Sequence, residues 1–183
     1  MLAFKHFVAL LETPVAASVG TYSLRHLDKA SAEALHAWMD MNDIPAPVPA
    51  KDLHTSVITA KNDVPEYKPD RRSLKIRPGS YALQRLGQAL VLRFKSSEMT
   101  QQNSRAEHMG AKMLWPQYIP HVTLTYNLPT SFDLQGFRLP PFYLEFEPEQ
   151  VKEFDGSYAH SVRESLCRFQ NFVYATAWLG QSK

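Results

Sequence analysis

A chain of 183 residues with 44% apolar side chains is long enough for one domain with a sizeable core, and its net charge of +2 gives no basis for binding long nucleic acid. The single cysteine, Cys167, excludes an internal disulfide and a cysteine metal cluster, and reads as a buried apolar thiol. No run of 18 apolar residues is present, so no membrane-spanning helix is expected, and the short apolar run at 7–11, followed by Glu12, does not read as a signal peptide.

In chain order, the first predicted element is a strand over Thr21–Arg25, whose side chains alternate. Ser31 reads as the N-cap of a helix through about Asn42, with Glu33 in its first turn and Leu35, Trp38 and Met39 on one core-facing side. Pro45, Pro47 and Pro49 force an extended loop, after which His54–Thr59 reads as a strand. Residues 61–78 carry Lys68, Arg71, Arg72, Lys75 and Arg77; they read either as a solvated basic loop or as a lid that reaches for phosphates. Leu90–Phe94 is a strand, and Ser97 reads as the cap of a helix through about Met113. Pro116 and Pro120 fill the next loop, and His121–Tyr126 is a strand. The proline-rich stretch 139–148 carries an alternating strand over Tyr143–Glu147 with outward carboxylates. One domain is expected over 1–183, with its core in 20–154 and a C-terminal extension, 155–183, whose aromatic segment Phe169–Ala175 reads as a strand or a helix packed on the core or a partner.

The middle of the chain is a weak internal repeat. Strand, helix, proline loop and histidine-led strand occur twice in the same order. The two histidine-led strands begin His54-Thr55-Ser56 and His121-Val122-Thr123. In a strand, residues i and i+2 share a face, so each unit presents an imidazole beside a hydroxyl. A pseudo-two-fold arrangement brings two such units together across a cleft. One imidazole can then accept a proton while its twin donates one, and the hydroxyls can hold an anion between them. Such a site cleaves phosphoesters without a metal, and no carboxylate stands at a ligand spacing from either histidine, so no metal and no cofactor are expected. The other histidines fit plainer roles: His36 and His108 face solvent on helices, and His6 and His160 have no partner pattern. Tyr22 and Tyr118 read either as base-stacking residues or as ordinary core or rim tyrosines. Glu145, Glu147, Glu149 and Glu153 read as an exposed strand face rather than as readers of a base edge.

These motifs and their surroundings resemble the two-histidine (2H) phosphoesterase superfamily and, within it, the phage anti-CBASS cyclic-nucleotide phosphodiesterases. The resemblance extends from the motifs to Ile44-Pro45-Ala46-Pro47-Val48-Pro49 leading into Leu53-His54-Thr55-Ser56, to Gly110-Ala111, and to Tyr118-Ile119-Pro120-His121-Val122-Thr123-Leu124-Thr125-Tyr126-Asn127. It covers roughly 20–154. It implies an α+β, bilobal 2H phosphoesterase-like fold, with two antiparallel-sheet lobes, outer helices and a central cleft. It also implies metal-independent cleavage of 3′,5′-linked cyclic di- and trinucleotides, the alarm signals of CBASS immunity, in the cytoplasm of an infected bacterial host. His54, Ser56, His121 and Thr123 are carried over as catalytic, and Tyr22 matches an early-strand tyrosine that contacts the nucleotide. Two features depart from the family: no tryptophan lies in the strand around Tyr81–Leu86, and the tail after about 154 is longer. Two other functions fit the residues: a 2H enzyme acting on RNA ends or linear oligoadenylate, and a non-catalytic sponge for cyclic nucleotides.

Overall fold

The computed structural model describes residues 20–154; Cys167, His6, His160 and the 169–175 segment lie outside the described residues. The strands are β1 (Gly20–His26), β2 (His54–Thr59), β3 (Leu74–Ile76), β4 (Ala82–Leu86), β5 (Ala89–Arg93), β6 (His121–Thr125), β7 (Leu144–Phe146) and β8 (Gln150–Phe154). The helices are α1 (Lys29–Met41) and α2 (Ser97–His108), with a single 3-10 turn at Ala50–Asp52. Two three-stranded antiparallel sheets, β2-β1-β8 and β4-β5-β6, form the lobes, and a short β3-β7 pair adjoins the first. β7 prolongs the edge of β1: the Asp28 N–H donates to the Glu145 carbonyl and the Glu147 N–H to the His26 carbonyl. The fold is α+β, as the sequence implies.

Both helices begin one capping residue earlier, or more, than the sequence suggests. Asp28 caps α1 by accepting from the Ser31 N–H at 2.8 Å, and Ser31 instead spends its hydroxyl on the Glu145 N–H of β7. Ser96, not Ser97, caps α2 by accepting from the Met99 N–H. That helix ends at His108, short of the predicted Met113. Gly110 takes φ +91°, the Ala111 N–H returns to the Ala106 carbonyl and the Gly110 N–H to the Glu107 carbonyl, which closes a Schellman turn.

The repeat is present, but its parts cross over. Leu35, Trp38 and Met39 of α1 share one apolar cluster with Leu90 and Leu92 of β5 and Val122 and Leu124 of β6. Val57 and Ile58 of β2 share the other with Ala106 of α2. The clusters thus mix the repeats: α1 shares its cluster with β5 and β6 of the other repeat, and Ala106 of α2 shares its cluster with β2, while Met99 at the start of α2 lies in the first cluster. The proline loops cross in the same sense. The Val48 N–H, ahead of β2, donates to the Leu124 carbonyl of β6, and the Leu114 N–H, ahead of β6, donates to the Thr59 carbonyl of β2. The exchange binds the two lobes into one unit and holds β2 beside β6.

The basic 61–78 segment is a strap, not a lid. Val64 and Tyr67 are buried, β3 lies within it, and the Val64 N–H donates to the Thr21 hydroxyl. Thr21, Ser23 and Arg25 point to the side of β1 opposite Tyr22, Leu24 and His26, so the strap lies away from the histidine face. Glu149, expected on an exposed face, is 5% exposed and is the strap's anchor: it accepts from the Ser23 hydroxyl, the Tyr67 hydroxyl and the Asp70 N–H. The pull of three donors outweighs the exposure that alternation alone suggests.

Candidate active site

The geometry of the two histidines is the same. His54 Nδ1 lies 2.7 Å from the Asp52 carbonyl oxygen, and His121 Nδ1 lies 2.7 Å from that of Ile119, in each case two residues upstream. A carbonyl can only accept, so each Nδ1 carries the proton and donates it. This fixes the ring and leaves Nε2 as the unprotonated nitrogen of the neutral imidazole. The local cause differs: a 3-10 turn ending at Asp52 presents the first carbonyl, and the loop through Pro120 presents the second.

Each hairpin carries one register irregularity beside its motif, between Ser23 and Leu24 in the first and between Leu90 and Val91 in the second. The offsets fall just beyond the motifs, so regular alternation keeps His54 and Ser56 on one face of β2, and His121 and Thr123 on one face of β6, all half-buried. A tyrosine bridges the lobes from behind the hydroxyl: the Tyr118 phenol donates to the Ser56 carbonyl at 3.0 Å while its ring packs against the main apolar cluster. Burial pushes the Tyr118 phenol well above its usual range.

Tyr22 lies inside the site. Its phenol oxygen is 3.0 Å from His54 Nε2 and 2.9 Å from the Ser56 hydroxyl. With Nδ1 of His54 donating, Nε2 accepts from the phenol and the Ser56 hydroxyl donates to the phenol oxygen. Burial raises the Tyr22 pKa, the hydrogen bond from Ser56 opposing, which keeps the phenol protonated.

Electrostatics acts on His121. Burial lowers the pKa of His121; its bond to the Ile119 carbonyl opposes the shift, and the His54 and Arg93 charges add to it. His121 is therefore neutral at neutral pH.

Two neighbours escaped the sequence reading. His26 is paired across the strand with His54, their ring centroids 5.7 Å apart, and burial lowers its pKa. Arg93 is paired across the strand with His121 and donates to the Gln84 amide oxygen at 2.7 Å. Both are visible only once the hairpin register is known. The equivalent register positions hold an imidazole in one lobe and a guanidinium in the other, so the floor of the site is symmetric in backbone and asymmetric in charge. Among the described residues, no group of three His, Cys, Asp or Glu side chains is placed to hold a metal ion, and no helix is long and apolar enough to cross a membrane.

Comparison with known proteins agrees with this architecture. The fold is similar to Escherichia coli LigT crystallised with 3′-AMP, at a TM-score of 0.55 and 13% identity, covering 74% of this chain and 87% of LigT. In sequence the chain is similar to the anti-CBASS protein Acb1 of Enterobacteria phage T4, 27% identical over 136 residues, which is 72% of this chain and 82% of that protein. It is also similar to the Acb1 of Acinetobacter phage Ac42, 26% identical over 114 residues, which is 60% of this chain and 74% of that protein. The profile of the family described as anti-CBASS protein Acb1 matches residues 19–161. With that match spanning most of its length, the chain belongs to the anti-CBASS protein Acb1 family.

Proposed function

We propose that the protein is a phage phosphodiesterase that opens 3′,5′-linked cyclic di- and trinucleotide signals and so blunts CBASS defence in the cytoplasm of the infected host. The observation that carries this reading is the matched anchoring of His54 and His121, each with Nδ1 committed to a carbonyl and Nε2 left for proton transfer. Membership of the anti-CBASS protein Acb1 family supports the choice of substrate class.

In this scheme, His121, held neutral by its burial, takes the proton from a ribose 2′-hydroxyl. The 2′-oxygen bonds to the adjacent phosphorus, the bond from phosphorus to the 5′-oxygen breaks, and His54, which enters this step as the imidazolium with a second proton taken up from solvent on Nε2, passes that proton to the departing oxygen. Ser56 and Thr123 donate to the non-bridging oxygens as negative charge builds on them. Arg93, beside His121 in the register, adds a positive charge on that side. The Tyr22 phenol orients Nε2 of His54 and yields its hydrogen bond when substrate enters. Tyr118 positions Ser56 through its carbonyl and is not required to stack a base. The resulting 2′,3′-cyclic phosphate is opened by water with the histidines in exchanged roles, which gives a 3′-phosphate. No metal takes part in the scheme.

The test is a substrate lacking the 2′-hydroxyl next to the scissile phosphate. It should bind and compete with the ribose substrate but remain uncut, because the nucleophile is missing. Efficient cleavage of the deoxy compound would mean that water attacks directly and would end the transesterification scheme.

A further inference from the structure

On the side of the first sheet away from the histidines, the strap and the outer stripe of α2 enclose a polar groove of about 470 Å³. Its helix wall is Glu98, Gln101, Gln102 and Arg105, spaced i, i+3, i+4 and i+7 and so on one face. Its other wall is 68–72 of the strap, with Lys68, Arg71 and Arg72.

The acidic groups of the groove are already spoken for. Asp70 accepts two hydrogen bonds from the Arg72 guanidinium and one from the Gln102 amide, and lies 3.5 Å from the buried Arg25 guanidinium. The bonds from Arg72 pull its carboxyl down to about 2, so it stays charged and paired. Glu98 accepts from the Ser96 and Ser97 hydroxyls at the start of α2. Lys68, Arg71 and Arg105 differ: all three are exposed, and none has an ion-pair or side-chain hydrogen-bond partner among the described residues. A second observation concerns what is attached to an anion held by these cations: the Gln102 side-chain oxygen is buried at the groove wall with no hydrogen-bond donor, an acceptor that an O–H or N–H of a ligand would satisfy.

We propose that this groove is a second binding site, separate from the catalytic cleft, for a small phosphorylated ligand of nucleotide size. Three uncommitted cations line a space within the roughly 300–1,000 Å³ of small-molecule sites, which suits one phosphate or diphosphate group. The Gln101 amide and the unpartnered Gln102 oxygen offer hydrogen bonds to a polar head attached to it, while the Gln102 NH2 stays on Asp70. The ligand bridges α2 to the strap, whose Asp70 and Glu149 links run to Arg25 and Ser23 of β1.

The test is a titration of the ¹⁵N-labelled full chain with ADP, followed by amide chemical shifts. Saturable shifts of residues 68–72 and 98–105 are expected, with a dissociation constant distinct from that read at residues 54–56 and 121–123. The Lys68→Ser/Arg71→Ser/Arg105→Ser variant should weaken the groove response by about tenfold or more while the cleft response and the cleavage rate persist. These side chains are exposed and unpaired, so the variant should keep its fold, which its unshifted remaining spectrum reports. Groove amides that do not move at millimolar ADP, or that move equally in the variant, would overturn the site without touching the catalytic assignment.

Discussion

Replacing Glu149 with Gln should cost about 2 kcal/mol of stability and leave the chemistry nearly intact. The wild-type carboxylate accepts the Ser23 hydroxyl at 2.5 Å, the Tyr67 hydroxyl at 2.6 Å and the Asp70 N–H at 3.0 Å. A hydrogen bond to a charged group contributes about 1.5–3 kcal/mol and a neutral one about 1, so a Gln oxygen that keeps the two hydroxyls loses roughly 1 kcal/mol on each, and its NH2 leaves the Asp70 N–H without an acceptor, about 1 kcal/mol more. Relief from burying a charge returns part of that sum, which leaves about 2 kcal/mol. Glu149→Ala strands three donors and should cost about 4 kcal/mol. Urea unfolding reads both, and the first should lower the melting temperature by about 4–8 °C for a chain of this size. Glu149 acts on the far side of β1 from Tyr22, so cleavage by the folded Gln variant should change by no more than about threefold, far below the 10²-fold or more typical of a lost acid or base. A stability loss under about 0.5 kcal/mol, the scale of a plain surface change, would refute the anchoring role.

His54→Ala and His121→Ala should each slow turnover by about 10²–10⁴-fold, and the double variant should fall little below either, as measured by single-turnover mass spectrometry. Ser56→Ala and Thr123→Ala should lower kcat more than they raise KM; an effect confined to KM would leave the hydroxyls as binding groups only. By NMR titration, His121 should titrate below an ordinary imidazole, and His54→Ala should move it upward, since the charge of the neighbour is removed; a downward move would contradict the pairing. Asp70, ordinarily 3.8 and held near 2 mainly by its hydrogen bonds from Arg72, contributes stability that is fully present above about pH 4 and is lost as pH falls toward 2. Asp70→Asn should therefore flatten the acid limb of the stability curve, and an unchanged limb would rule the pairing out.

The placement of the candidate site residues was legible where chemistry and spacing coincide. His54, Ser56, His121 and Thr123 stand on their strands as the i, i+2 rule demands, because a strand's alternation depends on nothing distant. Helix existence was equally local, from the apolar stripe Leu35, Trp38 and Met39. Cap positions were not: Asp28 and Ser31 are both good caps, and the choice was made by β7, which takes the Ser31 hydroxyl from more than a hundred residues away. The same non-locality hid His26 and Arg93, whose place beside the histidines depends on hairpin register and on an irregularity that no short window encodes. The mixed packing of α1 and α2 is also a property of the assembled lobes, since an apolar stripe fits either sheet. Glu149 was misread because alternation counts faces and ignores buried donors waiting on one of them.

In the proposed reaction, two carbonyl-anchored histidines cut a cyclic oligonucleotide by proton transfer. The most direct measurement incubates a 3′,5′-cyclic trinucleotide with the protein in excess chelator and follows it by mass spectrometry and phosphorus NMR. The wild type should give a linear product ending first in a 2′,3′-cyclic phosphate and then in a 3′-phosphate, and the His54→Ala and His121→Ala proteins should leave the ring closed. Recovery of the intact ring from the wild type, or undiminished opening by either variant, would contradict it.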